Sequence, residues 1–164
     1  MKCLAIDLGE RRIGLALSDE DGQFAHPMET LQVGKPGATM DALVEAVTRS
    51  EATRLIMGLP LLMNGDEGLA ARKARAFASK LERRVGMDVV MWDERLTTVS
   101  AERMLRDSGV KARAQRPVID QAAATVLLQC YLDAQRGTSM PDDLDSLLAP
   151  PAASNAIGSR RGDR

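Results

Sequence analysis

Short apolar runs that alternate with longer, helically spaced segments constrain the fold of this chain most strongly. The first two runs, Cys3 to Ile6 and Ile13 to Leu17, are separated by a turn containing GERR, which predicts an antiparallel hairpin. Further strands are predicted near Met28–Val33, Leu55–Met57 and Asp88–Trp92. Because helical segments separate the later strands, we expect those strands to be parallel neighbours.

Apolar residues at three- and four-residue steps predict the helices. These cover Met40–Glu51, Asp66–Val85, Thr97–Ser108 and Ile119–Arg136, with a polar, basic loop over Lys111–Pro117. Asp66 and Glu67 are expected in the first turn of the second helix, where acids favour the macrodipole.

The predicted fold class is therefore α/β, a single domain with a mixed sheet of about five strands flanked by helices. An antiparallel meander supplies the first strands and parallel strands follow. We expect this domain to span residues 1–137. Residues 138–164 are rich in Pro, Ser, Asp and Arg and are expected to form a weakly ordered C-terminal tail.

Composition limits how this chain could bind a nucleic acid. The net charge of −1 means that nucleic-acid binding would have to come from local clusters of basic residues. Aromatic residues make up 2% of the chain, too few for a base-stacking platform, so a bound nucleic acid should be held by its backbone.

The cysteines and the apolar segments indicate where the protein works. Cys3 and Cys130 lie in apolar surroundings outside any Cys-x-x-Cys motif, which favours buried, reduced thiols. The N-terminus has no apolar stretch typical of a signal peptide, and no run is long enough to span a membrane. We expect a cytoplasmic protein.

Three acids are candidates for a metal site. Asp7 and Glu94 each stand where an apolar strand is predicted to end. Asp120 precedes a helical stripe of Ala124, Leu127, Leu128 and Tyr131 that should pack on the sheet, so its carboxylate should extend that buried face. A buried carboxylate needs a partner, and a divalent cation shared by all three acids would supply one.

Each acid also has a simpler interpretation. Asp120 alone fits an N-cap or first-turn acid, Asp7 fits an Asp-Gly-type turn, and Glu94 fits an ion pair with Arg95 or another cation. All three together favour a metal site. Oxygen ligands without His or Cys indicate Mg²⁺ or Mn²⁺, commonly as two ions about 4 Å apart in phosphoryl-transfer enzymes.

Four sequence blocks carry a resemblance to a known family. AIDLGERRIGLALSD, GLPLLMNGDEG, WDERLTTVSAERML and IDQAAATVLLQCYL resemble, in order, the blocks of the YqgF-type pre-16S rRNA nucleases. These are Holliday-junction-resolvase-like proteins of the ribonuclease H superfamily. The resemblance covers roughly residues 1–136 and implies a ribonuclease H-like domain. By motif, it places the family's catalytic and metal-binding acids on Asp7, Glu94 and Asp120. It also implies a metal-dependent endonuclease that matures the 5′ end of small-subunit rRNA.

Basic residues near these blocks are candidates for nucleic-acid binding. They are Arg11 and Arg12 in the first hairpin, Arg72 and Lys73 on the second predicted helix, and Arg113 and Arg116 in the loop before Asp120. A solvated surface or loop explains each pair equally simply.

Several functions compete at this point. The first is hydrolysis of precursor rRNA by a metal-dependent endonuclease. A Holliday-junction-type DNA resolvase would need two active sites and hence a dimer. A non-catalytic RNA-binding module would need the basic surface but not the acids. A sugar-kinase- or actin-type ATPase also starts with a strand and Asp-x-Gly, but it needs two related lobes, and this chain has room for one.

Overall fold

The computed structural model describes residues 1–96 and 116–137, except for the side chains of residues 116–121. This part of the chain contains five strands: β1 Cys3–Leu8, β2 Arg12–Ser18, β3 Ala25–Gln32, β4 Arg54–Leu59 and β5 Val89–Asp93. It also contains three long helices: α1 Pro36–Ser50, α2 Leu69–Val85 and α3 Arg116–Gly137.

The strands form one mixed sheet in the order β3-β2-β1-β4-β5. β1 and β3 both pair with β2 in the antiparallel sense. β4 pairs with β1 and with β5 in the parallel sense. The predicted mixed α/β sheet is therefore confirmed, and β1, β3, β4 and β5 all end at the same edge, called here the carboxyl edge.

Some predicted boundaries are wrong, and prolines explain two of them. β3 begins at Ala25 because Pro27 is tolerated on an edge strand. α1 begins at Pro36 because a missing N–H costs nothing in the first helical turn. The predicted loop over residues 111–117 is wrong at its end, since Arg116 and Pro117 belong to α3. The predicted helix over residues 97–108 lies outside the described residues.

The predicted start of the second helix at Asp66 is also wrong. α2 begins at Leu69 and has no acidic residue in its first turn. The Asp66 carbonyl instead accepts a hydrogen bond from the Leu62 N–H at 2.9 Å, which closes the preceding loop. Glu67 accepts one from Arg75 Nε at 2.6 Å, and this bond lowers the pKa of its carboxyl group.

Asp7 lies inside β1 and not in the turn that follows. It pairs with Gly14 of β2, and the strand continues to Leu8. The turn itself closes when the Gly9 N–H donates to the Arg12 carbonyl at 3.0 Å. A side chain at Gly9 would collide with that carbonyl, because its Cβ would lie 2.6 Å from the oxygen. The strand backbone therefore holds Asp7 in place.

Two hydrophobic cores lie on opposite faces of the sheet. One is covered by α1 and α2, with Leu43 and Leu81 fully buried against the even-numbered residues of β1. The other is covered by α3. Its stripe of Ala124, Leu127, Leu128 and Tyr131 is at most 2% exposed, which confirms the predicted buried face.

α3 runs antiparallel to β4. The Tyr131 hydroxyl contacts Arg54 Nη1 at 2.9 Å, at the start of β4. Leu127, one turn earlier in the helix, lies over Gly58 near the end of β4. The first residues of α3 therefore point toward the carboxyl edge.

The cysteines agree with the sequence prediction. Cys3 and Cys130 are both buried and are not joined in a disulfide, as expected for reduced thiols. The helices of the described segments include none that is long and apolar enough to cross a membrane.

Tyr131→Phe tests how α3 is fixed to the sheet. The change removes the hydrogen bond to Arg54 but keeps the edge-to-face ring contact with Trp92, whose centroid lies 5.4 Å away. We expect a loss of about 1 kcal/mol in the free energy of unfolding in urea. An unchanged free energy would show that the hydroxyl does not contribute to docking of the helix.

Candidate active site

Asp7 and Glu94 come together at the carboxyl edge, on either side of β4. Asp7 follows Ile6, which pairs with Met57 of β4, and Glu94 follows Asp93, which pairs with Leu59. Strand alternation places the Asp7 side chain on the face that α3 covers. Glu94 follows the end of β5, and its side chain lies on the same face, beside Leu127 of α3. Two acids that are remote from each other in the chain thus share one site.

Gly58 makes this convergence possible. It lies in β4 between the two acids, and a Cβ added there would overlap Glu94 Oε1 and lie 2.9 Å from Leu127 Cδ1. The Glu94 side chain therefore lies across bare backbone with Leu127 beside it. Any larger residue at position 58 would occupy the space of the Glu94 carboxylate.

The electrostatics show that the two acids are coupled. Burial raises the pKa of Glu94, and the negative charges of Asp7 and Asp93 raise it further. A half-buried carboxylate beside other carboxylates is costly to ionise, so the site favours binding of either a proton or a cation.

Arg95 neutralises the third of these acids. Its guanidinium contacts both carboxylate oxygens of Asp93, with Nη2 at 2.6 Å from Oδ2. This hydrogen bonding lowers the pKa of Asp93. The described ion pair of Arg95 is therefore with Asp93, and not with Glu94 as one of the alternatives expected.

Asp120 is the fifth residue of α3, so the alternative that it is an N-cap or first-turn acid is wrong; its side chain is outside the description. Among the described side chains, no group of three or more His, Cys, Asp and Glu residues is arranged to hold a metal ion. The structure thus brings together two of the three predicted acids. The contribution of Asp120 stays a prediction.

The predicted nucleic-acid-binding residues divide into three groups. Arg11 and Arg12 are exposed at the β1–β2 turn, close in the chain to Asp7. Arg72 and Lys73 are exposed on α2, and Lys73 alone of these two lines a groove beside that helix. Arg113 and the side chain of Arg116 lie outside the described residues.

Comparison with a protein-family model identifies the family. The model described as "RuvX: Holliday junction resolvase" matches residues 1–134 of the 164-residue chain. The chain belongs to the RuvX family. The resemblance drawn from the four sequence blocks is thereby confirmed.

Curated relatives of this RuvX-family chain are similar over most of their length. A protein of Thermobifida fusca is 50% identical over 146 residues, which cover 84% of this chain and 91% of the relative. One from Chloroflexus aurantiacus is 44% identical over 133 residues, covering 81% and 87%. Both bear the name "Putative pre-16S rRNA nuclease".

A solved structure shows the same fold. T. thermophilus RuvC, in complex with a Holliday junction substrate, superposes with a TM-score of 0.58 over 84% of this chain and 97% of RuvC. The sequence identity is 15%, so the likeness concerns the fold. The RuvX-family chain has the ribonuclease H-like fold of such resolvases.

Two features of the site lie beyond what the sequence predicts. The apolar pattern marks Gly58 only as the end of a strand, although its contacts with Glu94 and Leu127 give it a role in the site. The pairing of Asp93 with Arg95 is the second feature. The adjacent WDER residues indicate an ion pair, but the sequence does not show which of the two acids Arg95 contacts.

Gly58→Ala tests the role of the glycine. The new methyl group should displace the flexible Glu94 side chain while the strand stays paired. We expect roughly 10- to 100-fold weaker Mn²⁺ binding and a similar loss of nuclease activity, with little change in melting temperature.

Gly37→Ala is the matched control for that change. Nothing lies within 4 Å of a Cβ at Gly37, so metal binding should be unaffected. Tight metal binding by the Gly58→Ala variant would contradict the proposed packing of Glu94.

Glu94→Gln tests the cost of ionising Glu94. Because burial and the nearby carboxylates raise the folded-state pKa of Glu94, its ionisation destabilises the metal-free protein at neutral pH. In EDTA at pH 7 the variant should melt at a higher temperature than the parent, by about 2–4 °C for each kcal/mol of ionisation cost that is removed. The difference should disappear below the unfolded-state pKa of about 4.3, where both forms are neutral.

Glu45→Gln serves as the control for this measurement, since Glu45 is exposed on α1. A lower melting temperature for Glu94→Gln than for the parent, from about pH 4.3 to pH 7, would show that ionised Glu94 is stabilised in the metal-free fold.

Proposed function

We propose that this RuvX-family protein is a divalent-metal-dependent endonuclease that hydrolyses phosphodiester bonds in structured nucleic acid. We infer that its substrate is precursor 16S rRNA, cleaved at the 5′ end during ribosome biogenesis in the cytoplasm. The observation that carries the proposal is the coupled pair of Asp7 and Glu94 at the carboxyl edge. The names of the curated relatives support the choice of substrate.

The chemistry of the site fits a divalent ion. Asp7 and Glu94 offer hard oxygen ligands, and the raised pKa of Glu94 reflects its burial and the nearby negative charges, both of which a bound cation would offset. We propose that these two residues, together with Asp120, would hold two Mg²⁺ or Mn²⁺ ions. A bound divalent ion stabilises charge that develops on the phosphate and makes water a better nucleophile near neutral pH.

The fold fixes the position of the Asp7 carboxylate and shields the Glu94 side chain from water. Asp7 is paired with Gly14 of β2, and the preceding residue, Ile6, is paired with Met57 of β4, so the backbone that carries the Asp7 carboxylate is fixed. Leu127 lies beside Glu94 over Gly58 and limits the access of water from the α3 side. A rigid, partly dehydrated site strengthens the electrostatic contacts that a phosphodiester would make.

The helices add positive potential at the same edge. α1 and α2 follow strands that end there, and α3 runs antiparallel to β4, so all three helices begin at the carboxyl edge. Each N-terminus carries about half a positive charge. The phosphate backbone of a nucleic acid is therefore favoured next to the carboxylates once a cation has offset their charge.

A second candidate function is resolution of Holliday junctions. The description of the family model and the fold shared with RuvC support it. Junction cleavage would call for two copies of the site and hence a dimer. Cleavage of precursor rRNA and of four-way junction DNA, measured side by side with the same preparation, separates the two substrates.

Asp7→Asn tests the catalytic assignment. The variant should fold normally but lose cleavage of end-labelled precursor 16S rRNA in Mn²⁺ or Mg²⁺ by roughly 100-fold or more. Titration calorimetry should show that the variant also binds the metal more weakly, because it lacks one ligand charge.

Asp88→Asn is the control for Asp7→Asn. Asp88 is exposed just before the start of β5, at the end of the sheet opposite the carboxyl edge. The cleavage rate of the Asp88→Asn variant should therefore equal that of the parent. Undiminished cleavage by Asp7→Asn would reject the nuclease assignment of this site. Intact RNA binding without any bound divalent ion would favour a non-catalytic binding module.

A further inference from the structure

A groove of about 1050 Å³ runs along α2 on the face of the sheet opposite α3. Its lining includes Gly9 and Gly58 at the carboxyl edge, and the first residues of α1. Gly58 is also the residue over which Glu94 lies, so the groove and the carboxylate site share one segment of β4 backbone. A chain leaving the carboxylates across this edge would enter the groove directly.

The groove is strongly basic along one wall. Lys73, Lys80, Arg83 and Arg84, all from α2, line it, and Glu10 is the one acid in the described part of its lining. Arg84 is engaged by Asp41 at 2.7 Å. The other three cations form no ion pair with any described residue, which leaves them available for an anionic ligand.

The rest of the groove is apolar. Leu69 and Phe77 of α2 and Met40 of α1 contribute to it, and Leu69 is 69% exposed. A nucleic-acid duplex presents phosphates and sugars on its outside and would leave this surface uncovered. A single strand can place phosphates on the cations and turn unpaired bases onto the apolar side chains.

The length of the basic wall sets the size of the ligand. From Lys73 to Arg83 the helix rises ~15 Å, at 1.5 Å per residue. That length matches about four stacked nucleotides at ~3.4 Å each. With aliphatic side chains and one phenylalanine, the groove would hold bases by burial more than by aromatic stacking.

We propose that this groove binds an unpaired, single-stranded segment of the nucleic acid that adjoins the bond cleaved at the carboxylate site. The proposal rests on the nuclease function proposed above and extends it. The enzyme should prefer a cleavage site flanked by a short single strand over one inside a continuous duplex. An acidic protein segment is the other ligand that this charge would attract, but continuity with the carboxylate site favours nucleic acid.

The test is binding in EDTA, where no cleavage occurs. The probes are a fluorescein-labelled 12-nucleotide oligouridylate and a blunt-ended RNA hairpin, with fluorescence anisotropy measured over a range of salt concentrations. The Lys80→Ala/Arg83→Ala variant should bind the oligouridylate at least tenfold more weakly. The slope of log affinity against log salt should fall by roughly 0.7 for each phosphate that the variant no longer neutralises. Binding of the hairpin should change much less.

Arg49→Ala/Arg75→Ala is the matched control. It removes the same charge, but these arginines are engaged by Glu29 and Glu67 and lie outside the groove lining. We expect its oligouridylate binding to equal that of the parent. Leu69→Ser, at an exposed apolar position, should weaken oligouridylate binding while leaving the salt slope unchanged, because it removes apolar surface for the bases and no charge.

Three results would overturn the proposal. They are unchanged oligouridylate binding by Lys80→Ala/Arg83→Ala, an equally large weakening in the arginine control, and an equally large weakening for hairpin and single strand. The first would leave an acidic protein segment as the ligand, and the other two would indicate a general electrostatic surface. Because binding is measured without metal, failure here is distinguishable from failure of the nuclease assignment, which Asp7→Asn tests separately.

Discussion

The main constraint on this structure is that the carboxylates of Asp7 and Glu94 lie near each other, beside a glycine, Gly58, that leaves space for the Glu94 side chain. Asp7 is fixed by pairing with β2, directly after the residue that pairs with β4, and the Glu94 side chain lies over Gly58 of β4. The raised pKa of Glu94 shows that this arrangement is unfavourable for the metal-free protein. Such local destabilisation is typical of functional sites, because the surrounding fold is stable enough to impose it.

The rest of the fold supplies that stability. Two hydrophobic cores clamp the central strands, and most of their side chains are fully buried. The same arrangement brings the N-termini of all three helices to the carboxyl edge. Arg95 contributes by pairing with Asp93, while burial and the nearby charge of Asp7 keep the pKa of Glu94 raised.

The order and type of the elements can be predicted because strand and helix periodicities are local properties. The predicted ends of β1 and β5 lie close to the observed ends, so the sequence alone places Asp7 and Glu94 at the ends of strands. The start of α2 cannot be placed in this way, because it depends on a loop that closes on Asp66. The role of Gly58 depends on contacts with side chains from two remote segments, which no local pattern contains. The basic groove likewise results from the packing of α1 beside α2.

Trp92 has a consequence that is unrelated to catalysis. It is the single tryptophan of the chain, lies two residues before Glu94, and is packed edge-to-face against Tyr131 of α3. Its buried indole N–H makes no hydrogen bond within the described structure. The emission of this fluorophore is therefore tuned by the apolar interface under α3. A shift of its spectrum to longer wavelength would report separation of the helix from the sheet, without any label.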